Sequence, residues 1–188
     1  MDCLTAIRAR RTRKTYTGEA VPRADLETML DAARWAPTHR LSEPWRFTVL
    51  ERAAIAELGA WLASRTDLHA QPDPAKGAAK WAKLAAALPT LGALVIATWA
   101  RADDPAVDAE DHAAASAAVQ NLLLAATALG WASYWSSTPL LSQAQTLGHL
   151  GIDAQREGCL GAIWLGRDSG APAPTPPRRP LAERVRWR

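Results

Sequence analysis

Apolar residues in the first part of the chain change from a helical spacing to the alternating spacing of a strand. From Leu26 to Ala33 they recur at i, i+3, i+4 and i+7, which places them on one face of a helix. This spacing predicts an amphipathic helix over residues 23–36, ended by Pro37. A polar loop follows, and the alternation over residues 45–51 predicts a partly buried strand.

The rest of the pattern predicts more helices and strands. The expected helices cover residues 2–10, 55–70, 76–88, 108–129 and 139–149, and the expected strands cover residues 94–99, 133–137 and 159–166. Residues 94–99 form a continuous apolar run, which is typical of a strand covered on both faces. The long helix should begin at the acidic turn that contains Asp108, because acidic side chains favour a helix start, and end at Gly130.

Two stretches carry little candidate chemistry. Residues 55–88 are rich in alanine, with spaced charges, and Pro72 and Pro74 separate their two helical halves. Residues 112–152 contain no Asp, Glu, Lys or Arg, but polar residues interrupt them. Their longest apolar run is far shorter than the ~20 residues of a membrane span, so no membrane segment is predicted.

The charge of the chain is concentrated at its ends. With 188 residues the chain is predicted to form one domain over residues 1–188, with a net charge of +3. Residues 1–14 carry five cations and one carboxylate, residues 167–188 carry six cations and two carboxylates, and the part between them is acidic. This distribution predicts that both ends help to build one anion site, the alternative being solvated tails. It argues against a surface that binds nucleic acid.

The carboxyl-terminal segment, residues 171–188, is predicted to be an extended arm. Its first half is rich in proline and cannot fold on itself. Leu181, Val185 and Trp187 follow as apolar anchors that need a surface to dock on, and such a surface is often another subunit.

Cysteine and histidine residues give no sign of a metal site or a disulfide framework. Cys3 and Cys159 are isolated, and His69, His112 and His149 lack the spacing of metal ligands. The first residues lack the apolar stretch of a signal peptide. These features favour a cytoplasmic protein without a metal.

Four segments together resemble the FMN-dependent nitroreductase family. They are the basic residues 10–14, the loop and strand start at residues 36–47, the helix containing residues 120–122, and residues 161–166 followed by residues 178–181. They occur in the order and at the spacing of that family, and they span nearly the whole chain. The resemblance is closest to the small, single-domain bacterial putative NAD(P)H nitroreductase subgroup.

The resemblance implies a fold, a cofactor and an assembly. The fold is α+β, a central mostly antiparallel sheet flanked by helices, with a domain-swapped carboxyl-terminal arm. The assembly is a homodimer with FMN at the subunit interface. The reaction is a ping-pong transfer of electrons from NAD(P)H to a small-molecule acceptor such as a nitroaromatic, quinone or enone. No dinucleotide-binding fingerprint occurs in the chain, so NAD(P)H would be a transient reductant.

The resemblance also implies which residues contact the flavin. The matching positions are Arg10, Arg11, Thr12, Lys14, Trp35, His39, Trp135, Ser136, Ser137, Arg178 and Arg179. Arg10 and Thr12 match groups that hold the phosphate or ribityl end, and Arg179 matches a cation of the tail near the phosphate. Lys14 matches a cation at the pyrimidine edge, which would stabilise the charge of reduced flavin. His39 matches a residue that reaches the flavin of the partner subunit.

Two departures from the family pattern and two alternative functions remain. Thr12 replaces the usual Ser and keeps the hydroxyl, whereas Glu43 replaces a common Gln and has no assigned role. One alternative function is FMN storage or flavin modification with little turnover. The other is a nucleic-acid-binding module that uses the basic ends, whose affinity would fall steeply with salt.

Overall fold

The computed structural model describes residues 1–69, 74–170 and 177–188. Helices and strands alternate along these residues. The strands are β1 (Trp45–Leu50), β2 (Ala93–Ala100), β3 (Ala132–Ser136) and β4 (Glu157–Gly166). The helices are α1 (Cys3–Ala9), α2 (Arg23–Ala33), α3 (Arg52–Ser64), α4 (Pro74–Ala87), α5 (Pro105–Ala128), α6 (Pro139–Ser142) and α7 (Ala144–His149).

The four strands form one antiparallel sheet in the order β1-β2-β4-β3. Every residue of β2 except the last is buried, which confirms a strand covered on both faces. Alternate residues of β2 enter two different cores. Val95 and Ala97 pack in the core under α2 and α5, whereas Leu94 and Ile96 pack in the core under α3, α4, α6 and α7. The predicted central sheet flanked by helices is therefore confirmed.

The long helix α5 is present, but its predicted start at Asp108 was wrong by three residues. The Asp104 side chain accepts a hydrogen bond from the Ala106 backbone N–H, and Pro105 occupies the first turn, where its missing N–H costs nothing. Asp108 instead accepts hydrogen bonds from the Trp99 indole and the Ala102 backbone. The helix thus starts at its cap and proline, and Asp108 lies within its first turn.

Other helix boundaries also differ from the prediction. Helix α2 ends at Ala33 instead of residue 36, because the N–H groups of Trp35 and Ala36 bond three residues back and tighten the chain before Pro37. Helix α3 starts at Arg52 and ends at Ser64, ahead of a separate 3-10 turn. Pro74, predicted as a breaker, is the first residue of α4, where proline is well tolerated, and Pro72 lies outside the described residues. The helix predicted over residues 139–149 is divided into α6 and α7 at Gln143, because the ψ of this residue is 149°, an extended backbone conformation.

The segment after α1 runs along the edge of the sheet. Thr12 pairs with Ser133 of β3 in a parallel bridge, and the Arg13 N–H donates to the Ser133 carbonyl at 3.0 Å. Tyr16 then pairs with Asp168 beyond the end of β4. These pairings place the basic residues 10–14 beside β3. In the described part of the chain, no helix is both long and apolar enough to cross a membrane.

Candidate active site

A cavity of about 360 Å³ lies between β3, the end of β4 and helix α4. Its wall combines aromatic and apolar groups with cations. The residues that define its chemistry are Lys14, Tyr134, Thr138 and Trp164, with Lys80, Lys83 and Leu84 from α4. No Asp or Glu belongs to the part of its lining that the structure describes. A cavity of this kind suits a flat ligand with negative or electron-rich edges.

Lys14 is held at this cavity by aromatic contacts. Its Nζ lies 4.8 Å from the centre of the Tyr134 ring, within the range of a cation–π interaction. Tyr134 in turn meets Trp164 edge to face, with ring centres 5.4 Å apart, because the two are opposite each other on β3 and β4. Because Thr12 pairs with Ser133, Lys14 lies beside the aromatic side chains of the cavity wall.

Two buried polar side-chain atoms of β3 and β4 lack a hydrogen-bond partner among the described residues. They are the indole Nε1 of Trp164 and the hydroxyl of Ser133. An unpaired buried polar group costs stability, so such groups often mark a place that a ligand or water satisfies. Trp164 also lines the cavity, which makes its N–H a candidate donor to a bound molecule.

Arg10 lies close to other cations. Burial lowers the pKa of Arg10, and repulsion from the guanidinium groups of Arg11 and Arg178 lowers it further. Arg178 belongs to the carboxyl-terminal arm, so the two basic ends of the chain approach each other here. Among the residues described, no carboxylate forms an ion pair with Arg10. A bound anion such as a phosphate would relieve this repulsion.

The neighbours of Arg10 serve different purposes. The Arg11 guanidinium donates to the carbonyls of Arg8 and Arg10, at 2.5 and 2.9 Å, and so closes the carboxyl end of α1. Thr12 is exposed beside β3, which leaves its hydroxyl accessible. Arg13 forms an ion pair with Asp168 at 3.3 Å. Arg179 is exposed next to Arg178.

Trp135 and Ser136 form the end of β3, and Ser137, predicted as the last residue of this strand, follows just after it. Trp135 and Ser136 have structural contacts. The Trp135 indole donates to the Leu160 carbonyl at 2.8 Å, where β4 bulges away from β2. The Ser136 hydroxyl is buried and lies 2.6 Å from the Thr138 hydroxyl. Ser137 is exposed. Gly161 is required at the bulge, because its φ is +121° and a Cβ there would lie 2.4 Å from the Ser136 carbonyl oxygen.

The loop that carries His39 does not line the cavity. His39 Nδ1 lies 3.8 Å from Glu110 Oε2, and the Ser42 hydroxyl donates to the buried Asp111 carboxylate at 2.6 Å. Glu43, whose φ is +43°, is exposed and donates its backbone N–H to the Thr38 hydroxyl.

Trp35 lies before this loop and is also separate from the cavity. It is 73% exposed, with the Arg34 guanidinium over its ring. Trp35 and His39 therefore do not join Lys14 within one chain.

The sequence analysis missed the contribution of α4. Lys80 and Lys83 line the cavity, although residues 55–88 were expected to carry little chemistry. A signal was present, because Lys80 and Lys83 are three residues apart, which is the spacing of neighbours on one helix face. No comparable sequence pattern indicated that Tyr134 and Trp164 line the cavity. Within the described ranges, no cluster of His, Cys, Asp or Glu is arranged to bind a metal.

Comparison with known proteins places the chain in a family. A sequence model of the nitroreductase family matches residues 7–167. YfhC of Bacillus subtilis (strain 168), named as an NAD(P)H nitroreductase, is 32% identical over 139 residues, which cover 72% of this chain and 69% of YfhC.

Solved structures show the same fold. The nitroreductase-like family protein from Bacillus cereus has a TM-score of 0.85 at 23% identity, and the match covers 100% of this chain and 96% of that one. A nitroreductase from Desulfovibrio desulfuricans, solved in complex with FMN, has a TM-score of 0.74 at 29% identity, with 98% and 95% of the two chains covered. The resemblance inferred from the sequence is confirmed, and the chain belongs to the nitroreductase family.

Proposed function

We propose that this chain is an FMN-dependent oxidoreductase that passes electrons by a ping-pong mechanism from NAD(P)H to an electron-poor acceptor. The observation that carries the proposal is the cavity with an aromatic wall and Lys14, which continues the basic segment that begins at Arg10. Arg11 and Arg178 lie near enough to Arg10 to lower its pKa, which an anion bound there would counter. The FMN complex of the Desulfovibrio relative and the name of YfhC support the same cofactor and reductant.

The residues of this chain fit FMN at both of its charged ends. Arg10 and Thr12, with Arg178 and Arg179 from the arm, would hold the phosphate. Lys14 would lie at the pyrimidine edge, where a cation favours the negative charge that builds up on reduction. When bound, FMN would supply the two-electron chemistry of the reaction. The protein groups bind and orient, and no side chain is assigned as an obligatory acid or base.

A homodimer with the cofactor at its interface would bring the separate loop to the site. Trp35 and Leu41 are 73% and 81% exposed, and a subunit interface would bury such apolar side chains. In a dimer, Trp35 and His39 would reach the flavin of the partner subunit. Trp187 of the arm is 88% exposed, and we propose that the arm crosses to the partner and buries it there.

The test is the visible absorption spectrum of the purified protein, with mass spectrometry of the molecule that heat releases. Released FMN is the expected result, and a colourless protein that also fails to bind added FMN would overturn the proposal. Steady-state oxidation of NAD(P)H with a quinone or nitroaromatic then separates an enzyme from a storage protein. Light scattering during gel filtration should give the mass of a dimer.

A further inference from the structure

Two cations of the cavity remain unexplained once FMN is assigned its partners. Lys80 and Lys83 are three residues apart on α4 and both line the cavity. No described carboxylate lies within ion-pair distance of either. The proposed function uses Arg10, Arg178 and Lys14 for the flavin and leaves this pair without a role.

The surroundings of these lysines are suited to a flat, negatively charged molecule. Leu84, Pro139 and Leu140 give the same cavity an apolar floor, and no described lining residue is acidic. A cavity that combines apolar walls with two cations and no described acidic residue favours an aromatic anion over a neutral ring.

We propose that Lys80 and Lys83 bind the carboxylate of an aromatic acceptor, so that this enzyme prefers anionic to neutral oxidising substrates. The inference rests on the proposed function, because the acceptor must lie next to the cofactor to be reduced. Lys80 and Lys83 are specificity residues in this proposal, and they take no part in the electron transfer itself. In the balanced reaction one N–O bond of the acceptor's nitro group breaks, and the products are a nitroso group and one water. NAD(P)H supplies both electrons and one proton as a hydride equivalent and is oxidised to NAD(P)⁺, and solvent supplies the second proton.

The experiment compares 4-nitrobenzoate with 4-nitrobenzamide, which share a ring and a nitro group and differ in charge. The measured quantity is the ratio of their kcat/KM values, since intrinsic differences in reducibility cancel when this ratio is compared between variants. Lys80→Gln and Lys83→Gln should each lower the ratio about fivefold, as expected for one partly solvated charge contact. Lys76→Gln, on the same helix outside the cavity lining, should leave the ratio unchanged.

A binding measurement gives a second readout that does not depend on turnover. Isothermal titration calorimetry with 4-nitrobenzoate, without reductant, should show weaker binding for Lys80→Gln and Lys83→Gln by a similar factor. Added salt should weaken the binding of 4-nitrobenzoate and leave that of 4-nitrobenzamide unaffected. Equal effects of the variants on both compounds would overturn the proposal.

Two further measurements distinguish an aromatic acceptor from the two other anions that the lysines could bind, the coenzyme phosphate and FMN. If the variants lower kcat/KM for NADPH relative to NADH, the lysines bind the coenzyme phosphate and the proposal is wrong. If they raise the dissociation constant of FMN, the lysines belong to the cofactor. A protein that binds no FMN at all contradicts the proposed function instead, and calorimetry with 4-nitrobenzoate still reports on the two lysines.

Discussion

The cations around the sheet edge fall into two regions that differ in their partners. Beyond the end of β4, Arg13 pairs with Asp168 at 3.3 Å, and Arg167 pairs with Glu19 at 3.1 Å. Arg167 also covers the Trp131 ring at 4.2 Å. These side chains tie the amino-terminal segment to the sheet, and their charges are neutralised by carboxylates of the same chain.

The second region has cations for which the described residues supply no carboxylate partner. Arg10 lies near Arg11 and Arg178, and the cavity wall holds Lys14 with the two lysines of α4. Keeping like charges together costs free energy unless something else supplies the opposite charge. The comparison teaches that the partner of a cation, rather than its residue type, separates a structural role from a binding role here.

Reversing one charge in the unpaired region should have the largest effect. Arg10→Glu would place a carboxylate against the proposed phosphate, so we expect the dissociation constant of FMN to rise by at least about 100-fold. Arg8→Glu makes the same charge change on the exposed face of α1 and is the control. Fluorescence titration of added FMN measures both variants. Unchanged retention in Arg10→Glu would remove the phosphate assignment.

Weakening a paired carboxylate should instead lower stability without changing FMN binding. Hydrogen bonding from the Trp99 indole lowers the pKa of Asp108, and a backbone N–H and Arg101 add to this. Its stabilising contribution is therefore complete above the unfolded pKa, near 3.9, and is lost as pH falls through the lower folded pKa. Asp108→Asn should reduce the unfolding free energy by about 1 kcal/mol at pH 7.

Urea unfolding at several pH values checks this prediction. The difference between wild type and Asp108→Asn should shrink as the pH is lowered below about 4, because wild-type Asp108 then also loses its charge. A difference that stays constant with pH would show that the charge of Asp108 contributes nothing. Retention of FMN serves as the control and should be the same in both proteins.

Lys14 offers a finer test of the unpaired region. Lys14→Gln removes the cation proposed to favour reduced flavin and keeps a side chain of similar length. Loss of about 1 kcal/mol of this interaction lowers a two-electron midpoint potential by about 20 mV. Spectroelectrochemical titration of the FMN-bound protein measures it, with Lys76→Gln as the control. A potential equal to that of wild type would show that Lys14 does not tune the cofactor.

Local patterns were enough to predict most elements of the fold. The apolar run of β2 and the repeating spacing in α2 depend only on near neighbours, and both elements were found. The start of α5 was missed because Asp108 looks like a helix-start residue until its contact with Trp99 is known. The break at Gln143 gave no warning, since neither proline nor glycine occurs there.

For the candidate site, the sequence predicted only those residues that the family resemblance implied. Arg10 and Lys14 were named from the basic segment, and the structure gives both of them surroundings suited to an anion. Lys80 and Lys83 look like the solvated face of an alanine-rich helix, and only the packing of α4 shows which side of it faces the cavity. Trp164 is recognisable only from its missing partner, which no sequence pattern reveals.

The smallest expected effect comes from the paired region itself. Asp168→Asn removes the charge that meets Arg13 but keeps an oxygen that can accept from the Gly170 N–H. Both side chains are about one-third exposed, so the pair should contribute about 0.5 kcal/mol to the unfolding free energy, and less at high salt. A double-mutant cycle with Arg13→Gln measures it.

FMN retention decides what the Asp168 result means for the two regions. If Asp168→Asn lowers stability slightly and leaves FMN retention unchanged, the paired cations stabilise the fold and only the unpaired cations bind the cofactor. If retention changes instead, Arg13 released from Asp168 has become available to the cofactor. Asp168 would then control how many cations the phosphate meets, because each cation held by an internal carboxylate is withheld from the ligand.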